Sequence, residues 1–289
     1  MKLVRFGECG AERPGVLLGE ADAGRILDVR AMAFDIEDYN ERFFAQDGLK
    51  RIENLLKESG RKLVPAEGVR LGPPVARPGK IICLGKNYAA HAREFDASVP
   101  AAPILFAKAA SAMVGPRDNI VLPPRSRAVD GEVELAVVIG KKAKNISEEQ
   151  AFEHVAGYAI FNDVTDREAQ RADQQWFRAK SADTFCPLGP WLATRDEVKN
   201  PGRLGMQFIH NGRVLQNDST ENMIFKIPFI LSFISSAITL FPGDVIATGT
   251  PAGIGSLQNP PALFRPGDEI ELAIEGLGRQ ANKIVAAGL

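Results

Sequence analysis

The sequence predicts an α+β fold made mostly of strands, with a small α/β domain over residues 1–72 ahead of a larger domain over residues 73–289. Three observations carry that expectation. Short apolar runs bounded by Gly, Pro, Asn and Asp recur along the chain, as strands and their turns do. Asn211-Gly212 sits between two alternating segments, a strong hairpin signal. The run Gly72-Pro73-Pro74-Val75-Ala76-Arg77-Pro78-Gly79 is the densest set of chain breakers and marks a linker.

Taken in order, Lys2–Phe6, Gly15–Gly19 and Arg25–Val29 are strand candidates separated by Gly and Pro. Leu49, Ile52, Leu55 and Leu56 share one face of a helix that Gly60 stops. This unit holds no cluster of catalytic groups and reads as packing or shielding. Lys80–Leu84 is a buried strand, Asn87–Phe95 a short helix, and Pro103–Lys108 a further strand whose final lysine is an anion contact or a solvated end. Ser147-Glu148-Glu149-Gln150 has the capping-box form and opens a helix through Val155 that carries His154 as a structural residue. Lys180–Pro190 is turn-rich and unlike a regular element. An apolar helix spans Ile227–Leu240, and Pro-Gly-Asp at 242–244 and at 266–268 each starts a strand, in the manner of repeated hairpins.

Composition narrows the class. Apolar and charged shares are ordinary for a soluble globular chain, and a formal net charge of −1 gives no reason to expect a nucleic-acid or anionic-membrane partner. Cys9, Cys83 and Cys186 are far apart, which fits a reducing compartment and disfavours a disulfide framework or thiolate zinc site. No signal-peptide pattern opens the chain, so a cytoplasmic location is expected. The most hydrophobic window, 224–241, falls short of the ~20 apolar residues of a membrane span.

The chemistry gathers between Asp130 and Lys180. In Asp130-Gly131-Glu132-Val133-Glu134-Leu135 a turn feeds a strand, and alternation projects Glu132 and Glu134 to one side while Val133, Leu135, Val137 and Ile139 line the other. The apolar run Gly157–Phe161 ends in Asn162-Asp163, a third carboxylate at a strand end. Three oxygen donors without clustered Cys or His suit a hard cation, Mg²⁺ or Mn²⁺; a solvated strand edge would carry the same acids. His91 and Glu94 share a helix face, either as a carboxylate-oriented base or as surface neighbours. Arg167 and Gln170 are likewise three apart, able to hold a carboxylate or simply to face solvent. Gly249-Thr250-Pro251-Ala252-Gly253 lacks the ending of a P-loop and reads as a loop approaching a small ligand, or as a plain turn.

Together, Gly85-Lys86-Asn87-Tyr88 with His91 and Glu94, Asp130–Leu135, Phe161–Thr165 with Arg167 and Gln170, Lys180–Asp183 and Thr248–Pro251 resemble the fumarylacetoacetate hydrolase family from about Lys80 to the C-terminus. The resemblance implies a mixed, rolled-up β catalytic domain with outer helices, usually in a homodimer. It implies that Glu132, Glu134 and Asp163 bind Mg²⁺ or Mn²⁺, that His91 and Glu94 form a water-activating dyad on a mobile lid helix, and that Lys180 supports a charged intermediate. Arg167, Gln170 and Thr250 match substrate contacts. The compact N-terminal unit looks like the bacterial branch, which departs from fumarylacetoacetate as substrate. The expected reaction is hydrolytic C–C cleavage of an acylpyruvate or sugar-derived 2,4-diketo acid, releasing pyruvate as its enolate with the cation as Lewis acid. Oxaloacetate decarboxylation and keto–enol isomerisation of a dicarboxylic catabolite use nearly the same groups. A non-catalytic protein with a structural ion is a further class, and the dyad and Lys180 argue against it.

Overall fold

The computed structural model describes residues 1–19, 23–94 and 98–288. Strands hold 35% of the chain and helices 20%, so the expected β-dominated α+β class is the observed one. The main sheet runs, in hydrogen-bonded order, through Leu63–Pro65, Arg25–Asp28, Arg13–Leu18, Lys2–Phe6, Cys186–Thr194, Val155–Asn162, Val133–Ile139, Val245–Ala247, Ile81–Gly85 and Ile104–Lys108. Along this path Val245–Ala247 and Ile81–Gly85 pair parallel, and the other neighbours pair antiparallel. A second sheet orders Arg213–Ser219, Gly205–His210, Glu269–Ile274, Gly278–Ala286 and Ile120–Leu122. The N-terminal strands extend the main sheet, because Leu3 stands opposite Leu192.

Burial explains the centre. Every residue of Val133–Ile139 is buried, and alternation divides the strand between two cores. Val133, Leu135, Val137 and Ile139 join the core shared with Phe208 and Leu272 of the second sheet. Ala136 and Val138 face the core built with Tyr39, Phe43 and Ile52 of the N-terminal region. Gly157, on the partner strand, admits no side chain, since a Cβ there would lie 2.1 Å from the Ala193 carbonyl oxygen.

Several local expectations need correction. Ser147 N does donate to Gln150 Oε1 (3.1 Å), but the segment forms only a 3₁₀ turn, Ala151–His154. The His154 carbonyl is taken by Gly140 N (2.7 Å), which turns the chain directly into the strand Val155–Asn162. The supposed irregular stretch 186–190 opens the long buried strand Cys186–Thr194. Pro190 is tolerated because the pairing register shifts between Tyr158 and Ile160, opposite Gly189–Ala193. Within the 72–79 run, Val75 and Ala76 are buried. Both Pro-Gly-Asp turns close alike, with Asp244 accepting from Phe241 N and Asp268 from Arg265 N (2.7 Å each). Only the second feeds a hairpin, because Val245–Ala247 lies parallel to Ile81–Gly85.

The helix Gly48–Leu55 buries Ile52 and Leu55 as its spacing requires, and the apolar helix spans Ile227–Ala237. The helix after Tyr88 runs Ala89–Glu94, and Phe95 lies outside the described residues. Among the described residues no helix is long and apolar enough to cross a membrane.

Candidate active site

Strand register assembles the three acids. Glu134 stands opposite Phe161, and Asp163 N donates to the Glu132 carbonyl (3.0 Å), so Glu132, Glu134 and Asp163 emerge on one face of the pair. One carboxylate oxygen from each lies within 4.8 Å of the others, and all three residues are buried. Oxygens each ~2.1 Å from a shared Mg²⁺ are at most about 4.2 Å apart, so slight side-chain adjustment suffices.

The electrostatics match that donor set. Burial, with the charges of Asp163 and Glu132, pushes the Glu134 carboxyl well above the ordinary carboxylate range. Burial acts on Glu132 in the same direction, but Lys180, Arg167 and His91 outweigh it and hold its carboxyl well below that range. A divalent cation among the three would relieve the repulsion that Glu134 meets. The residues therefore fit a hard cation.

Two lysines flank Asp163. Lys180, ending the helix Phe177–Lys180, donates to Asp163 Oδ2, to Glu132 Oε2 (3.1 Å) and to Thr165 Oγ1 (2.9 Å). Its burial opposes protonation, yet Asp163 and Glu132 overcome this and raise it well above the usual lysine value. Lys108 reaches Asp163 Oδ1 (2.5 Å) and the Val164 carbonyl (3.1 Å) with its side chain wholly buried, which removes the solvated-end reading. The anion contact offered for Lys108 is the reading the structure bears out, but the sequence could not name Asp163 as its partner, because the edge strand Ile104–Lys108 reaches the acids only through sheet order. Lys108→Met should lower the stability of the cation-free protein by about 3–5 kcal/mol, the cost of breaking a buried ion pair. Thermal denaturation checks this, and an unchanged melting temperature would contradict the pairing.

Arg167 also points inward. Its Nε and Nη2 donate to Asp130 Oδ1 and Glu132 Oε1 (2.6 Å each), and its Nη1 donates to Gln170 Oε1 (3.0 Å). Asp130 was thus a partner the sequence did not reveal. Thr250 Oγ1 donates to the Val133 carbonyl and accepts from Gln216 Nε2 (2.8 Å each), which ties the 249–255 loop to the acidic strand.

That loop also braces the acids and the dyad. Gly249 N donates to Glu134 Oε2 and Gly253 N to Glu94 Oε1 (2.8 Å each). Gly253, at φ +104°, could carry no side chain, since a Cβ would come within 2.1 Å of the Leu215 carbonyl oxygen. Ahead of the helix Ala89–Glu94, Asn87 is locked by the Thr248 carbonyl (2.8 Å) and by both backbone groups of Phe225. His91 Nδ1 lies 3.0 Å from Glu94 Oε2. A carboxylate only accepts, so Nδ1 carries the proton that meets it.

These groups share one cavity of about 230 Å³. Glu132, Glu134, Lys180 and His91 form its polar side, Leu84, Phe106 and Trp176 its apolar wall, and Gly85, Lys86, Arg167, Gln170, Arg171 and Thr250 complete the lining. Phe106 and Trp176 meet edge-on, with ring centroids 5.4 Å apart. A larger cavity of about 630 Å³ beside Arg5, Glu12 and Asp38 lacks such convergence, because Arg5 is tied to both acids.

Fold and site together define an enzyme class: a β-rich scaffold with a buried three-carboxylate centre beside a carboxylate-oriented histidine. The chain belongs to the fumarylacetoacetate hydrolase family, whose model, described as "Fumarylacetoacetate (FAA) hydrolase C-terminal", matches residues 80–285. Oxaloacetate tautomerase FAHD2A, mitochondrial, of Bos taurus is 41% identical over 99% of this chain and 92% of its own length. The structure of a maleylpyruvate hydrolase from Sphingobium sp. SYK-6, in complex with manganese(II) ion and pyruvate, superposes with a TM-score of 0.82 at 33% identity, with both chains fully covered. A 2-hydroxyhepta-2,4-diene-1,7-dioate isomerase from Mycobacterium marinum gives a TM-score of 0.80 at 35% identity, again over the whole of each chain.

Proposed function

We propose that this enzyme moves the C3 proton of a small 2-oxo dicarboxylic acid of the oxaloacetate type, interconverting its keto and enol forms. The observation that carries the reading is His91, oriented by Glu94 at 3.0 Å and lining the same cavity as Glu132 and Glu134. The whole-length similarity to an oxaloacetate tautomerase supports it. So does the cavity, which is smaller than the ~300–1,000 Å³ of drug-sized ligand sites and suits a four-carbon acid.

In this reading Glu132, Glu134 and Asp163 would hold Mg²⁺ or Mn²⁺. When bound, the cation supplies Lewis acidity at the 2-oxo acid head, which acidifies the neighbouring C3–H. His91 Nε2 removes that proton, and the Glu94 carboxylate stabilises the imidazolium that results. The Lys180 ammonium offsets negative charge developing on the C2 oxygen, and returning the proton to that oxygen completes the enol. Arg167 keeps Glu132 charged and in place, while Gln170 and Thr250 orient the substrate. The helix Ala89–Glu94 acts as the lid that excludes water. The working form is a homodimer in a reducing, cytoplasmic setting, in keeping with the unpaired thiols of Cys9, Cys83 and Cys186.

Hydrolytic cleavage of a 2,4-diketo acid stands as the second reading, favoured by the hydrolase neighbour that holds manganese and pyruvate. There His91 Nε2 would take a proton from water instead of carbon. Loss of enol absorbance from oxaloacetate, measured beside pyruvate release from oxaloacetate and acylpyruvates, separates the reactions. Enol loss without pyruvate supports tautomerisation, and pyruvate release from acylpyruvates alone would replace it with hydrolysis. EDTA treatment should abolish turnover, and added Mg²⁺ or Mn²⁺ should restore it; turnover that persists in EDTA would contradict the proposed role of the acids.

A further inference from the structure

The cavity mouth carries a charge that the proton transfer does not use. Arg171 lies four residues after Arg167 on the helix Arg167–Ala172, so both side chains project from one face. Arg167 is buried and tied to Asp130 and Glu132. Arg171 is exposed, yet lines the same cavity. The acids nearest along the chain are engaged elsewhere: Asp173 takes Arg178 through two hydrogen bonds (2.8 and 2.6 Å), Glu168 Oε2 accepts from Arg127 N (3.3 Å), and Asp166 caps its own helix through Glu168 N and Ala169 N. Among the described residues, no acid forms an ion pair with Arg171.

The two ends of the cavity therefore ask for different things. The inner end, where Glu132, Glu134 and Lys180 line the wall, suits a chelating 2-oxo acid head. The Leu84 and Phe106 side chains offer a second carboxylate no hydrogen bond. A guanidinium at the rim does, through paired N–H donors that match a carboxylate's geometry.

We propose that Arg171 determines specificity by binding the distal carboxylate of a dicarboxylic substrate, so that the pocket selects diacids over monoacids. The proposal rests on the reading of the cavity as a 2-oxo acid site, and it is indifferent to which reaction follows. Exposure to solvent and salt keeps the effect at the lower end for a charged hydrogen bond, about tenfold in affinity.

Calorimetric binding to the full chain in Mn²⁺ tests it with two probes. One is 3,3-difluoro-oxaloacetate, a diacid with no C3 proton to lose; the other is pyruvate, the same head without the distal group. The native chain should prefer the diacid by about tenfold or more. Arg171→Ala should remove most of that preference by weakening the diacid alone, and Arg171→Lys should retain part of it. Equal weakening of both probes, no preference in the native chain, or a preference that survives Arg171→Ala and vanishes only in Lys86→Ala would overturn the proposal. Enol loss from oxaloacetate is followed in parallel to keep the two ideas apart. An inert oxaloacetate with an Arg171-dependent diacid preference would leave the distal site standing and remove the tautomerase reading.

Discussion

Glu134→Gln is expected to bind Mn²⁺ at least ~100-fold more weakly than the native chain, while the cation-free variant melts at or above the native temperature. The two halves of this result have one cause. Glu134 is a buried carboxylate facing Asp163 and Glu132, and it accepts a hydrogen bond from the backbone N–H of Gly249. Without a cation its charge is a liability, and an amide of the same shape removes the repulsion. With a cation its charge is the reason for the site. Replacing residues that merely support a metal ligand costs 10–100-fold in affinity, so removing a ligand charge should exceed that range. Turnover should fall with the affinity. A variant that keeps native Mn²⁺ affinity would show that the ion sits elsewhere.

His91→Ala should lower kcat by about 10²–10⁴-fold, the usual contribution of a positioned base, with a far smaller effect on Mn²⁺ affinity than Glu134→Gln. His91 is buried in the cavity wall with Nδ1 against Glu94. Its loss removes proton transfer and leaves all three carboxylates in place. Glu94→Gln should cost less, because the ring remains and only its orientation and imidazolium stabilisation weaken. Stopped-flow enol loss and a parallel Mn²⁺ titration measure both effects. A His91→Ala enzyme with native kcat would exclude the dyad as the proton-transfer machinery.

What the sequence disclosed about this site was what one strand or one helical turn can encode. Alternation placed Glu132 and Glu134 together, and the i,i+3 spacing placed His91 against Glu94. Partners that depend on sheet order stayed hidden. Lys108 reaches Asp163 because an edge strand, separated from Val133–Ile139 by two others in the sheet, ends at the acids. Asp130 reaches Arg167 across a two-residue pairing of Val129–Asp130 with Thr165–Asp166. Local chemistry also misled where tertiary context overrode it. Pro187, Gly189 and Pro190 read as a loop, yet they lie in a central strand where a register shift accommodates Pro190. The capping box at Ser147 formed its hydrogen bond without a helix, because the chain must enter the sheet at Val155.

Anomalous diffraction from crystals grown in Mn²⁺ tests the central claim most directly. One strong peak is expected about 2.1 Å from a carboxylate oxygen of each of Glu132, Glu134 and Asp163. A map with no peak among these three acids, or with manganese held by other residues, would contradict it.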